Sequence, residues 1–132
     1  MQDDNIENKM IVVLEDDPMV ARIIGKATGL NTQNAATVEQ FESTLKQQEP
    51  LAMFIDVHLG MNTNGIEIIP RLKNKMPFCP IIVVTGDHSP DLVGDALAAG
   101  ADDFIYKPIN PKELVAVTRN CFVFSDDKLF NI

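Results

Sequence analysis

Short apolar runs alternate with helix-length periodic stretches along almost the whole chain. Met10-Ile-Val-Val-Leu14 is continuous, apolar and rich in β-branched residues, the pattern of a strand buried on both faces of a parallel sheet. Pro18 fits a first helical position, and Met19, Val20, Ile23, Ile24 and Ala27 recur with helical spacing until Gly29 provides a stop. Leu30 to Ala36 is polar and predicts at most an edge strand. Thr37 then caps a helix with Gln40 as its capping-box partner, and Val38, Phe41 and Leu45 form the apolar stripe. Leu51 to Ile55 predicts a third strand. It is followed by a Gly/Asn-rich loop from Gly60 to Gly65 and a helix using Ile66, Ile69 and Leu72. The cycle repeats with a strand at Pro80 to Val84 and a helix carrying Leu92, Val93, Ala96 and Leu97. It repeats once more with Phe104-Ile105 and a helix from Pro111 using Leu114, Val117, Thr118 and Cys121. Five such units predict a single-domain α/β protein, a doubly wound parallel sheet with helices on both faces.

Composition narrows the function classes. With 132 residues, 45% of them hydrophobic and 23% charged, the chain has the make-up of one globular domain. The formal charge of −8 leaves no broad basic surface for phosphate contacts, so nucleic acid is not an expected partner. The apolar runs reach about five residues against the ~20 a membrane helix needs, and the polar, acidic start lacks a secretory pattern. No membrane association and a cytoplasmic location are therefore expected. Cys79 and Cys121 lie far apart and read as reduced thiols rather than a zinc or disulfide pair.

Chemistry in an open parallel sheet gathers outside the carboxyl ends of the strands. Four of the five strand ends carry reactive groups: Glu15-Asp16-Asp17 after the first strand, Asp56 after the third, Thr85 after the fourth and Lys107-Pro108 after the fifth. Crowded carboxylates need a cation, and hard oxygen ligands favour Mg²⁺ or Ca²⁺. A nucleophilic Asp beside Mg²⁺ suits attack on phosphorus, with Lys107 as a fixed ammonium and Thr85 as a donor to a phosphoryl oxygen. Asp17, just before Pro18, reads as a helix cap. Gly60 to Gly65 has the glycine spacing of a phosphate-binding loop, but Ile66-Glu67 stands where Lys and Ser/Thr are required. His58 and His88 are too isolated for a histidine metal site, so His88 reads as a surface loop residue.

The segments Ile11-Val-Val-Leu-Glu-Asp-Asp-Pro18, Phe54-Ile-Asp56, Ile82-Val-Val-Thr-Gly86 and Gly100-Ala-Asp-Asp-Phe-Ile-Tyr-Lys-Pro108 together resemble the receiver domain of bacterial two-component response regulators, of the stand-alone chemotaxis-regulator kind. The resemblance covers roughly residues 9 to 122, leaving 1–8 as a flexible segment and 123–132 as an apolar tail. It implies a flavodoxin-like (βα)5 fold with strand order 2-1-3-4-5. It also implies phosphorylation of Asp56 by a histidine kinase or histidine phosphotransfer protein. Mg²⁺ would be held by Glu15, Asp16, Asp56 and the main-chain carbonyl of His58, and the phosphoryl group by Thr85 and Lys107. Thr85 and Phe104 are the implied switch pair; Tyr106, one residue before the lysine, is not. His58 and Asp87 occupy positions that modulate phosphoryl lifetime in the family, either by orienting water or by pairing with each other. The loop after Asp56 departs from the usual pattern, lacking a proline and running one residue longer. Output is expected through a downstream protein or a phosphorylation-dependent dimer. The alternatives are an interaction module that works without phosphorylation and a metal-dependent phosphohydrolase.

Overall fold

The structure, a computed structural model, describes residues 10–60 and 63–121. The expected flexible segment 1–8 and apolar tail 123–132 lie outside the described residues. Five parallel strands, β1 (Met10–Leu14), β2 (Asn31–Ala35), β3 (Ala52–Asp56), β6 (Ile81–Thr85) and β7 (Asp103–Tyr106), form one sheet in the order β2-β1-β3-β6-β7. Numbered among the sheet's own strands, this is the expected order 2-1-3-4-5.

The apolar runs explain why helices cover both faces. Successive side chains on a strand point to opposite sides, so Val12 and Leu14 of β1 enter one cluster with Phe41, Met53, Ile55, Ile69 and Leu72. Ile11 and Val13 enter the other with Ile24, Phe54, Ile82, Ile105 and Leu114. The first cluster is closed by α2 (Val38–Gln47), α3 (Ile69–Lys75) and the helix Pro90–Ala99, the second by α1 (Pro18–Thr28) and α5 (Pro111–Cys121). Burying a side chain of this size contributes about 1.5–3 kcal/mol. The edge strands can be less apolar, β2 being polar at four of its five positions and β7 carrying Asp103 and Tyr106 at its ends.

The punctuation works as the residue types require. Asp17 accepts a hydrogen bond from the backbone N–H of Met19 at 3.0 Å and caps α1. Gly29 ends that helix in the left-handed region, φ 75°. Thr37 accepts from the backbone N–H of Gln40 at 3.1 Å, while the Gln40 side chain reaches back to Ala36 N–H at 2.9 Å, one residue earlier than a capping box would place it. Asp102 takes the backbone N–H of Ile81 and the Lys73 ammonium on one oxygen, at 2.8 and 2.7 Å, and so ties the turn before β7 to the start of β6.

Two expectations need correction. The stretch from Gly60 to Gly65 is not simply a loop: β4 (His58–Leu59) pairs antiparallel with β5 (Thr63–Asn64), and a 3₁₀ turn, Gly65–Ile68, leads into α3. The Asn64 side chain caps that turn by accepting from Ile66 N–H at 2.9 Å, and Gly65 N–H donates to the Val57 carbonyl at 2.9 Å. On α4 (Pro90–Ala99), Leu97 is 43% exposed although helical spacing placed it on the apolar stripe. Ala96 is the buried residue, and a step of one residue turns the helix by about 100°, carrying Leu97 off the line that meets the core.

Candidate functional site

The strand ends converge at the carboxyl edge of the sheet. Glu15 follows β1 directly, and its backbone is fixed by donating to the Ala35 carbonyl at 3.0 Å and accepting from Asn34 Nδ2 at 3.1 Å. Its side chain is thereby turned inward, 1% exposed. Asp56 is the last residue of β3, 5% exposed, and one of its oxygens accepts the backbone N–H of His58 at 3.1 Å. Asp16, itself exposed, donates its backbone N–H to Glu15 Oε2 at 3.0 Å. The carboxylates of Glu15, Asp16 and Asp56 offer oxygens that lie within 4.8 Å of one another. That is an all-oxygen, anionic donor set partly open to solvent, which fits a hard divalent cation such as Mg²⁺.

Lys107 balances the buried pair. Its ammonium donates to Glu15 Oε1 and to Asp56 Oδ2, the latter at 3.3 Å, while its backbone N–H donates to the Thr85 carbonyl at 2.8 Å. The peptide bond to Pro108 is cis. Burial, reinforced by the neighbouring Asp56, pushes the Glu15 carboxyl up to about 7, against the opposing pull of Lys107. Burial works against the charged form of Lys107 as well, yet its hydrogen bond to Glu15 and the two carboxylate charges hold its pKa above the ordinary lysine value.

Around this centre the other expected residues take up distinct positions. Thr85 ends β6 fully buried, and its hydroxyl accepts the backbone N–H of Asp87 at 2.9 Å. His58 and Asp87 do pair, Nε2 to Oδ2 at 3.1 Å, across the mouth of the site. The backbone N–H of Ser89, and then His58, hold the Asp87 carboxyl below the usual range. Phe104 is half-buried on β7 and packs against the first core cluster. A groove of about 340 Å³ lined by Asp16, Thr37, Val38 and Leu59 opens beside the acidic cluster. Sequence reasoning missed one contact: the exposed His88 ring stacks on Tyr106 at 4.1 Å. The pair was recognisable only from the register that sets Tyr106 opposite Thr85, three residues before His88.

An open parallel sheet with a buried, lysine-bridged carboxylate pair and a third carboxylate at its carboxyl edge defines a class of α/β proteins built around a charged strand-end site. Within that class, the chain belongs to the response regulator receiver domain family, which it matches over residues 11–119. That family consists of regulatory phosphoacceptor domains of two-component systems.

Similar proteins carry the domain at different scales. A cyclic di-GMP phosphodiesterase of Thermotoga maritima is 34% identical over 102 residues, 76% of this chain and 27% of that protein. The methanol utilization control regulatory protein MoxX of Paracoccus denitrificans is 33% identical over 121 residues, 88% of this chain and 54% of that protein. The chain thus spans from about a quarter to about half the length of these curated relatives. Among solved structures, a CheY-like receiver domain protein of Methanospirillum hungatei superposes with TM-score 0.75 at 25% identity, covering 85% of this chain and 91% of the other. A two-component response regulator from Clostridium difficile gives TM-score 0.80 at 19% identity, covering 90% and 100%, a likeness of fold. No helix among the described residues is long and apolar enough to cross a membrane.

Proposed function

We propose that this chain is a phosphorylation-dependent signalling switch that takes a phosphoryl group onto Asp56 from a histidine kinase or a histidine phosphotransfer protein. The observation that carries the reading is Lys107 bridging Glu15 and Asp56 at the end of β3, with Asp16 alongside. The carboxylate oxygen of Asp56 forms the new bond to phosphorus, the phosphorus–nitrogen bond of the donor breaks, and the electron pair leaves with the imidazole. Lys107 stands within reach of the Asp56 oxygen and offsets negative charge gathering there. The His58 backbone N–H holds the other oxygen and so orients the carboxylate. Glu15, Asp16, Asp56 and the main-chain carbonyl of His58 would hold Mg²⁺, which supplies charge neutralisation for the transferring group. Thr85 and Phe104 form the switch, the buried hydroxyl engaging the phosphoryl group and the aromatic ring answering by repacking. The signal then passes to a partner protein, either a downstream target or a second copy of the chain. One solved receiver domain, DrrB, 25% identical over 86% of this chain, is described as BeF₃-activated, which supports a phosphoryl-triggered change here.

Intact mass after incubation with a small phosphoramidate and Mg²⁺ tests the assignment. One phosphoryl adduct is expected, lost in Asp56→Asn and lost with EDTA. Should Asp56→Asn keep the adduct, another residue is the acceptor. Should phosphoramidate and a histidine phosphotransfer protein both leave the wild-type mass unchanged, the chain acts without phosphorylation.

A further inference from the structure

Tyr106 ends β7 with no part in the site described above, yet its ring is held on two sides. The imidazole of His88 lies against it, centroids 4.1 Å apart and planes 10° from parallel, and Phe104 meets it edge-on at 5.3 Å and 67°. His88 belongs to the connection between β6 and α4 and is exposed, so the core does little to fix it. Its position is set instead by a turn whose anchors neighbour the acceptor. The Thr85 hydroxyl accepts Asp87 N–H at 2.9 Å, and Asp87 Oδ1 accepts Ser89 N–H at 2.9 Å. Residues 85–89 are therefore one bonded unit with His88 inside it. The same Asp87 meets His58 at 3.1 Å, and His58 N–H holds Asp56. At the other end, Tyr106 pairs with Thr85 across the β6–β7 ladder, and Lys107 N–H donates to the Thr85 carbonyl.

We propose that the His88–Tyr106 stack is a conformational latch, closed while Asp56 is free and opened when a phosphoryl group sits on Asp56. The inference rests on the phosphoacceptor reading above. A phosphoryl group brings oxygens that need donors, and the buried Thr85 hydroxyl is a donor at the adjoining strand end. Turning it toward Asp56 draws the bonded 85–89 turn with it, and the flat contact of His88 on a strand residue cannot follow. An aromatic pair of this kind contributes little enough that a ligand favouring the open form can part it. By reciprocity, parting it beforehand favours the form that binds the phosphoryl group.

The chain has one tyrosine and no tryptophan, so its ultraviolet emission reads Tyr106 alone. Contact with an imidazole quenches tyrosine. Adding BeF₃⁻ with Mg²⁺ to the full chain is expected to raise the emission. His88→Ala should start at the raised level, show no further rise, and bind BeF₃⁻ roughly two- to tenfold more tightly, the range an aromatic pair's free energy corresponds to. His88→Phe, which restores a stacked ring, should return that affinity to the wild-type value, a rescue that a solubility or folding effect would not give. BeF₃⁻ binding is registered separately as an Asp56-dependent rise in melting temperature. If that rise occurs while Tyr106 emission stays constant, or if His88→Ala binds with wild-type affinity, the latch is wrong. If BeF₃⁻ stabilises nothing, the acceptor reading fails and the latch goes with it.

Discussion

Glu15 and Lys107 show how one side chain sets the terms for another. Glu15 is buried because β1 delivers it to the sheet edge with its backbone already bonded to β2, and Asp56 arrives beside it on β3. Neither carboxylate is comfortable there without the ammonium of Lys107. Lys107→Ala should therefore destabilise the metal-free protein by about 1–3 kcal/mol, below the full cost of orphaning a buried charge because the lysine side chain is 31% exposed. Chemical unfolding with and without Mg²⁺ checks this, and the deficit should shrink when Mg²⁺ is present. A variant as stable as wild type in EDTA would mean that the carboxylates do not depend on Lys107. That Glu15, Asp56, Thr85 and Lys107 gather at one sheet edge was readable from the sequence, since each stands at or just past the end of a short apolar run that reads as a strand. The His88–Tyr106 stack was not, because it depends on two strand ends lying side by side, and no local pattern around His88 announces an aromatic neighbour.

At the level of elements, the segment after β3 packs directly against Asp56. A Cβ on Gly65 would sit 2.5 Å from the Asp56 carbonyl oxygen and 2.9 Å from Ile55 Cγ2, both in β3. Gly65→Ala must push one of them aside. A loss of about 1–3 kcal/mol in stability is expected, together with slower phosphorylation of Asp56 as its strand end shifts. Thermal melts and the adduct assay read the two effects. Normal stability and normal phosphorylation would show that the crossing can relax at no cost. Strand positions and helix starts were legible because apolar runs and caps such as Asp17 and Thr37 are local signals. The β4–β5 pairing was not, since two-residue strands carry too little pattern to separate them from a loop. Leu97 misled for a related reason: α4 is apolar on several sides, so spacing alone could not say which line faces the core.

For the molecule as a whole, the charged edge links stability to pH and metal. In the folded protein the Glu15 carboxyl is raised to about 7 from an ordinary 4.5, so folding favours its protonated form. The stability this supplies is fully present below about pH 4.5 and is lost as pH rises through about 7. Metal-free protein should accordingly melt at a lower temperature at pH 8 than at pH 6. Mg²⁺ competes with that proton and should raise the melting temperature more at pH 8 than at pH 6, and Glu15→Gln should flatten the metal-free trend. A melting temperature that climbs from pH 6 to pH 8 without metal would contradict the assignment. The five-strand order also has a temporal side. Every neighbour pair in this sheet is parallel, and the interior strand β1 finds its second partner only at β3, Ile11 meeting Ala52. Such distant pairings form slowly, and a chain emerging from its N-terminus must wait for them. Glu15 and Asp56 can already face each other once β3 docks, but their counter-ion rides on the last strand's end. The charge-balanced pocket thus comes together only with the end of the last strand, just ahead of α5, and a chain that stops before Lys107 holds most of a sheet with an unneutralised acidic edge.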